Sequence, residues 1–159
     1  MTIVIIVLAV ILVLGSALWV LPSPREKSQM AMRREAMLKG LQVKLTKVKD
    51  LECPGEELHC IAYRLARKRE QGLKAQAWML YRHAEGDEEL QVPGWSYDLS
   101  EGKYRFKNVP EISALLNALP ADVIAVQCTG AALSVYWNER GEIENVTTIL
   151  DVLSSFQRL

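Results

Sequence analysis

The spacing of apolar and polar residues divides the chain into an apolar start and a mixed body. Residues 2–21 carry no charged side chain, and fourteen of them are Leu, Ile or Val. As a helix, a segment of this length rises about 30 Å, which matches the hydrocarbon core of a bilayer. We therefore predict a transmembrane anchor over residues 1–21, with Trp19 at the membrane interface.

A cleaved signal peptide is the alternative interpretation of this segment, because Gly15, Ser16 and Ala17 are small residues of the kind that a signal peptidase favours. A signal peptide carries positive charge before its apolar run, whereas the cations of this chain follow it. By the positive-inside rule, those cations keep the C-terminal body in the cytoplasm and the short N-terminus outside. We expect a single-pass inner (plasma) membrane protein.

A second helix is predicted over residues 22–40. Pro22 and Pro24 end the first helix, the following residues are good helix formers, and Gly40 stands where a glycine closes a helix. The segment can lie on anionic headgroups, where each cation adds about 1 kcal/mol, or it can be a solvated stalk whose cations only set the topology. Its apolar residues are expected on one side: Met30, Met37, Leu38 and Leu41. The residues expected to contact the membrane surface are Arg25, Lys27, Arg33 and Arg34.

The charge distribution agrees with a lipid-facing collar. Residues 22–50 hold eight Lys or Arg against three Asp or Glu, and the rest of the chain holds eleven against sixteen, so a net charge of zero hides an asymmetry. A basic neck beside a membrane and an acidic body argue against nucleic acid as a partner.

Residues 41–159 predict one α+β domain with a small antiparallel or mixed β-sheet and two covering helices. Apolar residues alternate over 41–46 and 77–83, which indicates strands. Residues 58–69 fit a helix or a strand, with a slight preference for a strand that pairs with 77–83. A helix over 110–119, a hairpin of strands 122–128 and 131–137, and a final helix containing residues 146–156 follow. The core is expected chiefly from the C-terminal half: Leu115, Leu116, Leu119, Val123, Val126, Leu133, Val135, Trp137, Ile149, Leu150 and Leu153.

Motifs for catalysis or cofactor binding are absent from the sequence. The nine glycines are too far apart for a phosphate-binding loop, and Cys53, His59 and Cys60 lack the close pairs that Zn²⁺ prefers. Cys128 falls in a predicted strand, where a thiol behaves as a small apolar side chain. We expect no cofactor, no metal and no enzymatic activity.

The irregular segment 84–107 contains three aromatic residues that are candidates for partner contact: Trp95, Tyr97 and Tyr104. Exposed aromatic side chains are enriched at protein interfaces. The alternative is that Trp95 and Phe106 fold beneath the loop and complete the core.

Residues 21–48 resemble the start of the bacterial accessory subunit of the preprotein translocase. The shared features are an apolar span followed by Pro22, Pro24 and Arg25, a short Met-rich helix ending at Gly40, and a β-rich region after it. The order of span, neck and body also resembles small uncharacterised bitopic inner-membrane proteins of Gram-negative bacteria. Both resemblances imply an anchored chain with a cytoplasmic body.

Three classes of function are compatible with these features. The first is a membrane-anchored accessory or scaffold protein whose cytoplasmic domain binds a protein partner in a membrane complex. The second is a membrane-tethered ligand sensor, and the third is an enzyme. A pocket with converging polar groups would favour the sensor, whereas a flat patch around Trp95 would favour the scaffold.

Overall fold

The computed structural model describes residues 3–7, 11, 23–51, 53, 55–67, 77–83, 90–98 and 104–158, and these form an α+β fold. The helices after residue 22 are α1 (Pro24–Leu38), α2 (Val109–Ala118) and α3 (Glu144–Phe156). The strands are β1 (Gln42–Lys49), β2 (Glu57–Ala66), β3 (Trp78–Arg82), β4 (Trp95–Tyr97), β5 (Val123–Cys128) and β6 (Ala132–Trp137).

The strands form one antiparallel sheet in the order β1-β2-β6-β5-β3-β4. Side chains of a strand alternate between the two faces of a sheet. One face carries Ile61, Tyr63, Leu80 and Val135 and packs against apolar residues of all three helices. The other face carries a smaller cluster made of strand residues alone: Val48, Cys60, Met79, Tyr81 and Ala125. We call these the helix face and the open face.

The C-terminal half folds as its periodicity predicts. The helix, the hairpin and the final helix are α2, β5 with β6, and α3. The Asn108 side chain accepts a hydrogen bond from the backbone N–H of Glu111 and so caps α2. Every predicted core residue belongs to the helix-face core, with Leu115 and Leu150 packed at its margin.

The pairing of β2 and β3 differs from the prediction. Residues 57–66 are a strand, as preferred, but β2 pairs with β1 and β6, whereas β3 pairs with β4 and β5. The β5–β6 hairpin is inserted between the two strands. Strand β6 pairs along its whole length with residues 61–66 of β2, and β5 pairs with residues 78–81 of β3.

The separation of a neck at residues 22–40 from a body beginning at residue 41 also needs correction. The side chains of Met32 and Ala36 on α1 are 1% and 0% exposed and belong to the helix-face core. Leu41, which was expected beside Met30 and Met37, is buried in the same core, whereas Leu45 on the edge strand β1 is 69% exposed. The helix is therefore part of the packed unit.

The predicted transmembrane anchor falls largely outside the described residues. Within it, residues 3–7 are helical and their side chains are exposed. No helix in the described ranges has the length and the apolar composition that a membrane crossing requires. The anchor stays a prediction.

Candidate functional site: the outer face of α1 and the open-face cleft

Helix α1 has an apolar inner side and a mixed outer side. A capping box closes its N-terminus: Glu26 N–H donates to Ser23 Oγ, and Ser23 N–H donates to the Glu26 carboxylate. Opposite the buried Met32 and Ala36, Met30, Met37 and Leu38 are 61%, 57% and 74% exposed. The helical spacing places the exposed cations Lys27 and Arg34 on the same side. This set of five residues is the outer face of α1.

Arg33 occupies a different environment from the other three predicted membrane-contact residues. Its Nε donates to the two carboxylate oxygens of Glu139 at 2.9 and 3.0 Å, and Tyr63 Oη donates to Glu139 Oε1 at 2.8 Å. The Glu139 side chain is 1% exposed. The hydrogen bond to Glu139 raises the pKa of Arg33, and burial and the carboxylate raise the pKa of Tyr63. Arg33 therefore neutralises a buried carboxylate, while 38% of its own side chain stays exposed.

The turn after β6 is shaped to present Glu139 inward. Glu139 has φ +53°, which is rare for a residue with a side chain, and the N–H of Arg140 donates to Asp122 Oδ2 at 2.7 Å. A Cβ at Gly141 would lie 3.1 Å from atoms of Trp137 and Asn145, so a side chain there would crowd its neighbours. These contacts fix the shape of the turn, and the hydrogen bonds from Arg33 to Glu139 join the turn to α1.

The aromatic loop candidates are placed differently from the prediction of a contact patch. Trp95 and Tyr97 lie in β4 and are 1% and 8% exposed. Tyr97 Oη donates to the carbonyl of Tyr104, and the half-buried Tyr104 ring packs edge-on against Phe106 at 5.0 Å. The structure thus agrees with the alternative that Trp95 completes the core, because β4 pairs with β3 and turns that ring under the sheet edge.

Arg82 covers Trp95 and joins three carbonyl groups. Its Cζ lies 4.8 Å from the centre of the Trp95 ring, and its guanidinium donates to the carbonyl oxygens of Leu119, Pro120 and Val123 at 3.1 to 3.4 Å. Burial lowers the pKa of Arg82. A cation that contacts the carbonyls of the C-cap residue Leu119 and of Pro120 stabilises the C-terminal end of α2, so this arrangement has a structural purpose.

A cleft of about 580 Å³ lies beside Arg82, lined by residues from the β1–β2 and β3–β4 regions. Leu51 and Leu58 at its margin are 39% and 37% exposed. Burial and the charge of Asp98 raise the pKa of the lining residue Tyr81 to about 12, which keeps its hydroxyl protonated. The polar lining residues are Lys49, Asp50, Tyr81, Arg82, His83 and Asn117. The cleft has the size of a ligand site or of a groove for a partner's side chains.

The cysteines are distributed over both faces. Cys60 and Cys128 are buried, and burial raises the pKa of Cys60 to about 11 and also raises that of Cys128. Cys53 is exposed, and its Sγ lies within 4.8 Å of carboxylate oxygens of Asp50 and Glu56. The β1–β2 turn accounts for this grouping, because Cys53 N–H donates to Asp50 Oδ1 and Glu56 N–H donates to the Cys53 carbonyl.

Comparisons with protein-family models, with curated proteins and with solved structures find no match for this chain. The resemblances to the translocase accessory subunit and to small bitopic inner-membrane proteins stay predictions. The functional argument therefore rests on the two surfaces described above.

Proposed function

We propose that the chain is a membrane-anchored accessory or scaffold protein whose cytoplasmic domain binds a protein partner. Residues 2–21 cross the bilayer with the N-terminus outside, and the outer face of α1 lies in the membrane interface. The observation that carries this proposal is the exposure of Met30, Met37 and Leu38 on the same side of α1 as Lys27 and Arg34, just after the apolar segment.

The composition of this outer face suits an interface between water and lipid. Burial of a Met or Leu side chain is worth about 1.5–3 kcal/mol, and a helix in water gains nothing from exposing three of them. Cations on the same side favour anionic headgroups. A protein partner could cover the same side chains, but the preceding apolar segment brings α1 to the membrane without a further component.

The open-face cleft supports the partner-binding part of the proposal. With α1 on the membrane, the helix face of the sheet turns toward the bilayer and the open face turns toward the cytoplasm. The exposed Leu51 and Leu58 then border the cleft on the side that a cytoplasmic protein can reach. Apolar residues at the margin of a groove are suited to receive an apolar side chain of a partner.

A membrane-tethered ligand sensor is the second candidate, and the polar lining of the same cleft favours it. Lys49, Asp50, His83 and Asn117 converge on a space large enough for a small molecule. The burial of Trp95 removes the flat aromatic patch that would have favoured the scaffold. The two candidates use one cleft and differ in the size of its occupant.

A photo-crosslinking residue at position 58, in the full-length chain expressed in its native membrane, separates the two candidates. For a scaffold we expect one discrete protein adduct. The matched control is position 45, which lies on the same hairpin, is 69% exposed and faces the other side of the sheet. The gel shift and the mass of the adduct are the measurements.

A protein adduct from position 58 and none from position 45 supports the scaffold. Equal adducts from both positions indicate collision without a binding surface and contradict it. The absence of any protein adduct from position 58 also contradicts the scaffold and leaves the sensor as the better account.

A further inference from the structure

A cavity of about 420 Å³ lies between the first turns of α1 and the turn after β6. Its lining residues are Arg25, Ser28, Glu139, Arg140 and Gly141. Arg25 and Ser28 come from the start of the packed unit, and the others come from near its end. The cavity is therefore created by folding.

The charges around this cavity favour an anion. The carboxylate of Glu139 is engaged by Arg33 and Tyr63, so its negative charge is already balanced by a cation outside the cavity lining. In the described part of the chain, no hydrogen bond or ion pair engages the side chain of Arg25 or Arg140. Two guanidinium groups and the hydroxyl of Ser28 are left to face a ligand.

The chemistry of these groups is suited to a phosphate. A guanidinium group offers two parallel N–H donors whose spacing matches two oxygens of a phosphate, and it keeps its charge at any physiological pH. The phosphodiester of a phospholipid has two non-bridging oxygens, and each of them can accept more than one hydrogen bond, so that both guanidinium groups and the Ser28 hydroxyl can be engaged at once.

The position of the cavity along the chain indicates where such a phosphate is found. Arg25 is four residues beyond Leu21, and four residues reach at most about 14 Å. The headgroup layer extends about 5–8 Å beyond the hydrocarbon core on each side. With the anchor in the bilayer, Arg25 is held within or just below the headgroup layer.

We propose that Arg25, Ser28 and Arg140 bind the phosphate of an anionic phospholipid headgroup in this cavity. The proposal rests on the membrane anchoring proposed above and adds a discrete, saturable lipid site to it. Inorganic phosphate carries the same chemistry and is the other source that an experiment has to distinguish. At this site Arg140 joins Arg25 in contacting the membrane surface, in place of the Arg33 that was expected from the sequence.

Native mass spectrometry of the full-length protein in mild detergent tests the site with phosphatidylglycerol as the anionic probe and phosphatidylcholine, which is zwitterionic with no net charge, as its comparison. We expect one phosphatidylglycerol per chain to be retained preferentially. The double substitution R25Q/R140Q should weaken this binding by at least about tenfold, because charge-assisted hydrogen bonds are lost. The matched control K27Q/R34Q removes the same charge from the outer face of α1 and should weaken it by less than about threefold.

One further variant and one competition experiment sharpen the outcome. R25K/R140K keeps both charges without the paired donors and should fall between wild type and R25Q/R140Q. Displacement of the lipid by millimolar inorganic phosphate would identify free phosphate as the ligand. Retention of the lipid would identify the headgroup as the ligand. Both results support a phosphate site. Circular dichroism verifies that each variant is folded.

Equal losses in R25Q/R140Q and K27Q/R34Q would overturn the proposal, because they would indicate diffuse attraction to the basic neck. Failure of the wild-type protein to bind either probe would overturn it as well. Alkaline carbonate extraction of the same variants reports separately on the anchor. A chain that resists extraction but binds no phosphate refutes the cavity alone, whereas an extracted chain refutes the membrane anchoring.

Discussion

Arg33→Ala is expected to lower the free energy of unfolding by about 3–5 kcal/mol, because it removes the cation from a buried carboxylate. Glu139 is 1% exposed in its side chain and would keep only the Tyr63 hydroxyl as a partner. The turn would also lose a contact that holds Glu139 at φ +53°. The measurement is a urea titration of the full-length protein in mild detergent, followed by circular dichroism.

Arg34→Ala is the matched control for this substitution. It removes the same side chain from the next position of α1, where the residue is exposed, and should change the free energy of unfolding by no more than about 0.5 kcal/mol. Adding Glu139→Gln to Arg33→Ala should restore at least about 1 kcal/mol, since the uncompensated charge disappears while an acceptor for Tyr63 is kept. Equal effects of Arg33→Ala and Arg34→Ala would show that the Arg33–Glu139 pair contributes nothing.

Trp95→Ala is expected to lower the free energy of unfolding by about 3–5 kcal/mol, as removal of a large core side chain does. The Trp95 ring is 1% exposed and supports Arg82, whose guanidinium donates to two carbonyls just after α2 and to one at the start of β5. Trp95→Phe keeps an aromatic ring in the same place and should cost less than half as much. The same urea titration measures both variants.

The outcome for Trp95 also decides between the two interpretations of the loop. If Trp95→Ala left stability within about 0.5 kcal/mol of wild type, the residue would behave as a surface position and the structural placement in the core would be contradicted. A stability loss that grows with the ring volume removed, from Trp95→Phe to Trp95→Ala, would confirm that Trp95 lies in the core. The search for partner contacts would then move to Leu51 and Leu58.

Local patterns in the sequence were enough to predict the C-terminal half. Ile112, Leu115, Leu116 and Leu119 follow the period of a helix and can all be buried against one surface. The hairpin was equally predictable, because its two strands are joined by a short turn and pair with each other. Such elements depend on contacts between near neighbours along the chain.

The sheet order and the buried ion pair required information from distant parts of the chain. Arg33 and Glu139 are 106 positions apart, and neither residue carries a local sign of its partner. The segment 58–69 fits a helix through Leu58, Ile61, Ala62 and Leu65 and a strand through Ile61, Tyr63 and Leu65, so its spacing alone does not decide between them. The segment forms a strand because its residues 61–66 pair with β6, on the side of β6 that does not pair with β5.

The two interpretations of the loop containing Trp95 stayed open in the sequence for a different reason. Its strand β4 has only three residues and directly follows Pro93 and Gly94, so that no period can be recognised. Pairing with β3 gives the segment its direction and buries Leu90 and Val92 along with Trp95. Burial of aromatic residues in such a short strand follows from the completed sheet alone.

The most direct test of the central claim, a body held against the membrane through the outer face of α1, is labelling with a membrane-impermeant maleimide. The full-length chain would carry Cys53→Ser, which removes the exposed thiol, with either Met37→Cys or Leu58→Cys. Met37 is more exposed than Leu58 in the isolated chain, at 57% against 37%, so position 37 becomes the slower one only if the outer face of α1 is covered, as the membrane covers it in this account.

In inverted inner-membrane vesicles, we expect position 58 to react at least about ten times faster than position 37, because the membrane interface excludes the reagent from the outer face of α1. In intact cells with a permeable outer membrane, neither position should react. A position 37 that reacts as fast as position 58 in inverted vesicles, or labelling of either position in intact cells, would contradict the account.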